Sequence, residues 1–475
     1  MIPVIEMGGN HTLRYPIPPA SQTLNHCKIR LLAFYIPFLH HSFLNMLVDV
    51  LILLYSPAYC QTLKLRVPSK KIFTTIGSFD KMNQTLAFRF KVLVGIVAIS
   101  GFSQGMLLPL IAIIFEQDGL SSSLNGLNAT ALYIGILLAS PLMERPLQKI
   151  GYKPMIIIGG IIVAVSLLLF PVWKSFWFWF ALRLLIGIGD HMLHFATQTW
   201  ITSFSPKERR GRNISIYGVS FGIGFAVGPM MTQLITIHQA LPFIISSLLS
   251  LTVWMFVFRL QNEFPEEQNI GSASFLGSFH RFGKVLQYAW VALLPPLGYG
   301  FLEASLNGNF PVFALRNGLS IEAVAILLPA FAVGSIISQV PLGILSDKYG
   351  RQHVLLIVMM IGFLCFSAAG IVSESTVGLF ICFTLAGMAV GSTFSLGISY
   401  MTDLLPKELL PAGNIMCGIF FSFGSMIGPF IGGITIDWFK GSSFFYLIAS
   451  MMLMIFVSLL LFSLQNKRGE ITQNN

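Results

Sequence analysis

The chain has 475 residues, of which 55% are hydrophobic and only 10% charged, with a formal net charge of +10. Soluble globular chains carry about 25% charged residues, so this composition excludes a water-soluble fold and points to helices in a bilayer. The positive balance does not indicate nucleic acid, because the cations fall in short segments between apolar runs, where they set topology.

In chain order, residues 1–81 stand apart. The run from Leu31 to Cys60 is apolar but carries His40, His41, Asn45 and Asp49, and patternless sequence follows it. Nothing at Met1 resembles a signal peptide, since the apolar stretch starts too late. Met82 then opens a short basic lead-in to a strong span, so Met82 is expected to be the functional start, with 1–81 an N-terminal extension outside the native protein. An additional span or interfacial segment near 31–55 is the alternative. Twelve apolar runs follow, near 90–115, 126–143, 154–173, 176–200, 212–236, 241–260, 286–312, 320–343, 352–373, 376–401, 410–436 and 442–464. Each is about 20 residues, the length of a spanning helix and not the alternating ten-residue pattern of a barrel strand. The longest connection, 261–285, is polar and acidic then basic (Glu263, Glu266, Glu267, then His280, Arg281, Lys284). It divides the chain into halves of six spans, 82–260 and 286–475.

The cations give the orientation. One set of loops holds Arg145, Lys149 and Lys153, then Lys207 to Arg212, Arg259, Arg281, Lys284, Lys348, Arg351 and Lys407; the opposite set holds Lys174, Arg316 and Lys440. The bias places both termini in the cytoplasm. The five cysteines (Cys27, Cys60, Cys365, Cys382, Cys417) are scattered without Cys-x-x-Cys spacing and suggest neither a disulfide framework nor a zinc site.

Between the eighth and ninth runs stands Gly343-Ile-Leu-Ser-Asp347-Lys348-Tyr-Gly350-Arg351. This Gly-x-x-x-Asp-Lys-x-Gly-Arg segment resembles the cytoplasmic loop signature of the major facilitator superfamily. The chain is thus identified as resembling a twelve-span secondary transporter of that family, with likeness to bacterial drug/proton antiporters. The resemblance implies an all-α polytopic membrane protein of twelve transmembrane helices in two pseudo-symmetric six-helix halves. It also implies that Gly343, Asp347, Lys348, Gly350 and Arg351 form a latch that breaks as the halves rock. After the second run, Glu144-Arg-Pro-Leu-Gln148-Lys149-Ile-Gly151-Tyr-Lys153 repeats the segment in degenerate form, with Gln148 in place of the aspartate. The fifth run carries Gly224 and Gly228-Pro229, and the eleventh Gly424 and Gly428-Pro429. This Gly-x-x-x-Gly-Pro pattern resembles one that the family associates with antiporters; close helix packing is the equally available reading. Arg183-x-x-x-Gly187-x-Gly189 resembles the family's fourth-span pattern.

Ionisable groups inside the runs are few, and each is a functional hypothesis because it is costly in the bilayer. Arg183, Gly187, Asp190 and His194 are spaced by 4, 3 and 4 and share one helix face. Asp190 and His194 are expected to share a proton, with Arg183 favouring ionised Asp190; Asp190 as a purely structural partner of Arg183, and Arg183 as an anchor to backbone, remain alternatives. Glu303 is the acidic residue well inside the C-terminal half. It can exchange a proton in a partly wetted cavity or serve as a neutral, hydrogen-bonded group between helices. Ser100, Ser103 and Gln104 are expected to face the same cavity, Glu116 and Asp118 to be solvated, and Trp173, Trp177 and Trp179 to form an interfacial belt.

The leading expectation is proton-coupled efflux of small amphipathic molecules by alternating access, in the plasma membrane of a bacterium. A monomer is expected, with no cofactor, metal or nucleic-acid partner. An importer or facilitator in the same fold is the alternative, and a pump or membrane enzyme the alternative from another class. Gly277-Ser-Phe-His-Arg-Phe-Gly283-Lys284-Val285 lacks the spacing and hydroxyl of a phosphate loop.

Overall fold

The computed structural model describes residues 72–265, 275–439 and 443–473. The apolar run near 31–60 and the linker acids Glu266 and Glu267 lie outside the described residues. Met82–Asn475 is one compact unit and Met1–Lys81 another; of the latter, residues 72–81 are helical.

Among the described residues, twelve helices are long and apolar enough to cross a membrane. They are α1 (Leu86–Gln117), α2 (Ser122–Ala139), α3 (Tyr152–Leu169), α4 (Phe176–Phe204), α5 (Ile216–Thr236) and α6 (Leu241–Arg259) in the N-terminal half. The C-terminal half holds α7 (His280–Arg316), α8 (Ile321–Tyr349), α9 (Arg351–Ile371), α10 (Thr376–Leu404), α11 (Ala412–Trp438) and α12 (Ser443–Gln465). Each coincides with an expected run to within a few residues, except at two ends. Helix precedes α7 from Phe275, inside the expected linker, and bends at Ala289. The α8 helix continues to Tyr349, so Gly343, Asp347 and Lys348 lie on its last turns and not in a loop.

Sterics fix the turns. Gly119 (φ 75°) and Gly318 (φ 79°) follow α1 and α7, while Gly151 (φ 82°) and Gly350 (φ 90°) follow α2 and α8. Only glycine adopts these angles without strain. Ser121 and Ser320 then cap the next helix, accepting from Leu124 N and Ala323 N at 3.3 Å. Asp118-Gly-Leu-Ser and Asn317-Gly-Leu-Ser are therefore one repeated device.

Close approaches set the packing. A β-carbon on Gly224 would overlap the Ala98 carbonyl of α1, and one on Gly424 the Leu297 carbonyl of α7; Gly228 and Gly428 press on the same partners one turn on. The two Gly-x-x-x-Gly-Pro segments thus occupy equivalent helix contacts, α5 on α1 and α11 on α7. The halves meet along α2 with α11 and α5 with α8.

The bonds that join the halves gather at the α1–α2 end of the bundle. Arg316 of α7 pairs with Glu116 of α1 (2.8 Å) and with Asp437 of α11 (3.1 Å). Asp437 also accepts from the Ser122 and Ser123 amides of α2 (3.0 and 2.8 Å), and Asn125 donates to the Gly308 carbonyl (2.7 Å). Glu116 is therefore paired, contrary to the solvated role expected of it: the turn at Gly119 brings it against α7. Trp179, expected in an interfacial belt, is buried and donates to the Phe170 carbonyl (3.1 Å), while Trp173 and Trp177 are exposed.

Candidate functional site

Asp190 stands midway along α4 and is 3% exposed. Its carboxylate accepts from the Ser100 hydroxyl and the Gln104 amide, both on α1. The Ser100 Oγ is 2.9 Å from His194 Nε2, while the direct separation of His194 from Asp190 is 3.7 Å. Ser100 thus stands between the two groups expected to share a proton. His194 Nδ1 lies 2.5 Å from the Tyr217 hydroxyl of α5, and Phe221 meets the His194 ring edge at 5.3 Å. On its other side Asp190 borders a cavity of about 30 Å³ lined by Ser103, Gly160, Ser250 and Trp254, room for about one water.

Arg183 is placed differently from expectation. It is 1% exposed and donates from Nη2 to the Leu107 carbonyl of α1 (3.2 Å), with Nε and Nη1 unpartnered. Seven residues separate it from Asp190, about 10 Å along the helix, and no ion pair joins the two. The geometry is that of an anchor between α4 and α1. The stripe is not an open cavity face: Arg183 and Asp190 are packed against α1, and His194 is the partly exposed member, 21% by its side chain.

Glu303 is half-buried on α7, and no hydrogen bond reaches its carboxyl among the described residues; Asn307 donates instead to the Glu303 backbone carbonyl (2.9 Å). Tyr133 and Tyr299 lie within its electrostatic reach, and Arg183 within that of Tyr133. The structure does not bring Glu303 into contact with Asp190.

At the α2–α3 end the two loop copies differ. In the C-terminal half Arg351 Nη1 donates to Asp403 (2.7 Å), Thr402 (2.9 Å) and the Ser399 carbonyl (2.7 Å), and its contact with Asp347 is longer, 3.4 Å. Arg351 therefore fastens the α8–α9 turn to the end of α10. In the N-terminal half Lys153 donates to the Phe258 and Leu260 carbonyls (2.9 and 2.8 Å), and Asn262 accepts from the Lys153 amide (3.1 Å). Beside them Arg89 forms a two-pronged pair with Glu263 (2.7 and 2.6 Å), which also accepts from Trp200 Nε1 (2.8 Å). Tyr217, Asp403 and Asp437 escaped the sequence reading, and Glu263 entered it only as a linker acid. Each finds its main partners on another helix, which no local pattern reveals.

Two six-helix halves with repeated turns, close glycine contacts and buried polar groups at mid-span define a multi-pass helical protein of the secondary-transporter class. The sequence profile of the Major Facilitator Superfamily matches residues 93–320 and 296–474, and the chain belongs to that superfamily. It is 58% identical over 376 residues to the uncharacterized MFS-type transporter YfkF of Bacillus subtilis (strain 168), covering 79% of this chain and 95% of that protein. Among solved structures it resembles the nucleoside transporter NupG (TM-score 0.65, 14% identity, 78% of this chain and 98% of that one). It also resembles a bacterial homolog of the human lysosomal transporter Spinster in an inward-facing, unoccupied conformation (TM-score 0.59, 16% identity, 79% and 95%).

Proposed function

We propose that the chain is a proton-coupled exporter of small amphipathic molecules that works by alternating access. The observation that carries this reading is Asp190, a carboxyl at mid-span held by Ser100 and Gln104 of α1, with His194 of α4 3.7 Å away. A buried acid in such a setting is costly unless it does work. Glu303 serves as a second proton site in the opposite half, as repeat-interface sites require. Half-buried aromatic side chains accompany each acid: Phe221 and Phe225 beside the Asp190 network, Tyr299 with Phe421 and Phe394 in the half of Glu303. They suit a lipophilic substrate.

The cation bias assigns the α2–α3 end to the cytoplasm of a bacterial plasma membrane, with both termini inside. The bridged α1–α2 end is then the closed outer face. The latch assigned to Gly343, Asp347, Lys348, Gly350 and Arg351 acts at the cytoplasmic end of the C-terminal half. An importer or facilitator differs only in direction. Inverted vesicles with a pH-sensitive dye and a panel of amphipathic substrates test the reading. Substrate-dependent proton movement without nucleotide supports it. Substrate flux that ignores an imposed pH gradient, in wild type, overturns the coupling.

A further inference from the structure

The donors around Asp190 share a direction. The Ser100 hydroxyl donates to the carboxylate. With Ser100 so used, the His194 tautomer that satisfies both ring contacts carries its proton on Nε2, donating to Ser100 Oγ, and accepts at Nδ1 from the Tyr217 hydroxyl. The series thus runs from a 3% exposed carboxyl, through a side chain 21% exposed, to a half-buried phenol on α5. His194 lies one turn from Asp190 toward the α2–α3 end, and Tyr217 stands beside it on α5, ten residues after Lys207, where that helix begins. The series thus leads away from the end where Glu116, Arg316 and Asp437 bridge the halves and ends at Tyr217, whose side chain is half-buried. Of the other groups near Asp190, Gln104 from α1 and Ser103, Gly160, Ser250 and Trp254 around the cavity are not acid–base groups, and the neighbouring imidazole, His191, makes no hydrogen bond to Asp190 among the described residues, its buried Nε2 having no partner.

We propose that Ser100, His194 and Tyr217 form a proton relay that leads from buried Asp190 toward the α2–α3 end of the bundle. The inference rests on Asp190 being a coupling site. In the inward step a water gives a proton to the Tyr217 oxygen as Tyr217 passes its own to His194 Nδ1. His194 passes its Nε2 proton to Ser100, and Ser100 passes its own to the Asp190 carboxylate. Every intermediate group gives one proton and takes one, so the net change is one proton from solvent to Asp190 and a His194 tautomer switched to Nδ1–H. Release starts from the Nδ1–H tautomer, runs the same steps backwards and restores the first tautomer; in the proposed exporter it is the working direction, since a proton that loads Asp190 from the α1–α2 side leaves through the relay to the cytoplasm. Ser100 and Tyr217 carry the proton in this scheme and touch no substrate.

The test uses the full chain in liposomes, with Tyr217→Phe and Ser100→Ala, which keep the ring and the helix contacts and remove only a hydroxyl. Two rates are compared: pH-gradient-driven substrate flux, and substrate counterflow at equal pH, which needs no net proton movement. The relay predicts a loss of about tenfold in the driven rate of both variants, the scale of one interrupted proton-transfer step, with counterflow retained within about twofold. Equal losses in both rates, or wild-type driven rates in both variants, overturn it. Asp190→Asn run alongside separates the two ideas. If it loses driven flux while Tyr217→Phe and Ser100→Ala keep it, the relay fails and the coupling site stands; if all three keep it, Asp190 is not a coupling site and both fail.

Discussion

The N-terminal half ties its mid-span acid into a hydrogen-bonded network, while the C-terminal half leaves its own without one. Asp190 is held by Ser100 and Gln104, and Arg89 by both oxygens of Glu263. Glu303, by contrast, has no hydrogen bond to its carboxyl among the described residues, and Asp347 is 71% exposed. Yet the backbone of the halves repeats closely: Gly119 with Gly318, Gly151 with Gly350, Ser121 with Ser320. Duplicated turns persist because a positive φ or a helix cap tolerates few residues. Charges are free to diverge as long as some partner is in reach. The degenerate loop illustrates this. Gln148 stands where the second copy has Asp347, and the carboxylate at that end of the N-terminal half comes instead from the linker, as Glu263.

The largest effect expected from breaking this asymmetry is at Asp190. Asp190→Asn should cut pH-driven flux about 100-fold or more, as removal of an obligatory proton carrier does, while Glu303→Gln, which disturbs no network, should leave folding untouched and lower coupled flux less. Proton-to-substrate ratios in reconstituted vesicles rank the two, and a larger loss at Glu303 would move the principal site to the C-terminal half. Next comes the bridge between halves. Asp437 accepts two backbone amides, the Ser123 hydroxyl and one arginine, charge-assisted bonds of about 1.5–3 kcal/mol each. Asp437→Asn should raise the population open at the α1–α2 end by about tenfold, equivalent to about 1.4 kcal/mol. Spin labels at Leu124 and Trp438, both exposed, would report the change as a longer distance component; an unchanged distribution would make the bridge incidental.

Much of the fold was legible because the bilayer leaves little choice: an apolar run of spanning length becomes a helix, and all twelve appear. The polar stripe Arg183–Asp190–His194 was legible as a periodicity, but its partners were not. Ser100 is 90 positions from Asp190, and no local spacing announces the contact. Arg183 was expected to act on Asp190 through the shared stripe; its length along the helix and the Leu107 carbonyl decided otherwise. Glu116, near a span end, read as solvated, and Asp437 went unread, because the sequence does not show which helix ends converge. The Asp118-Gly-Leu-Ser and Asn317-Gly-Leu-Ser pair was a visible signal for that convergence, since equal turns after α1 and α7 bring equivalent ends to one face.

A smaller effect tests the linker's hold on the N-terminal half. Glu263→Gln leaves Arg89, only 8% exposed by its side chain, without a charge partner, yet Glu263 itself is 42% exposed. Water can therefore replace part of the lost pairing, and the cost should be about 1–3 kcal/mol, below that of a fully buried pair. Thermal unfolding in detergent should show a lowered midpoint; no shift would mean that Trp200 and the Asn262 contacts hold the segment unaided.

The smallest effect separates Asp347, a member of the proposed latch, from Asp403, the nearer partner of Arg351. The motif resemblance directs attention to Asp347, but Arg351 reaches Asp347 at 3.4 Å and Asp403 at 2.7 Å, and Asp347 is the more exposed of the two. A solvent-exposed ion pair one helical turn apart contributes about 0–1 kcal/mol. Asp347→Asn should therefore change turnover by less than about fivefold, the rate equivalent of about 1 kcal/mol. Asp403→Asn removes the partner that ties the α8–α9 turn to α10 and should slow cycling more. Counterflow rates at matched protein abundance compare the variants directly. If Asp347→Asn is the slower, Asp347 must find a stronger partner in another conformation of the cycle, and the contact seen here is the resting arrangement of the latch and not its working one.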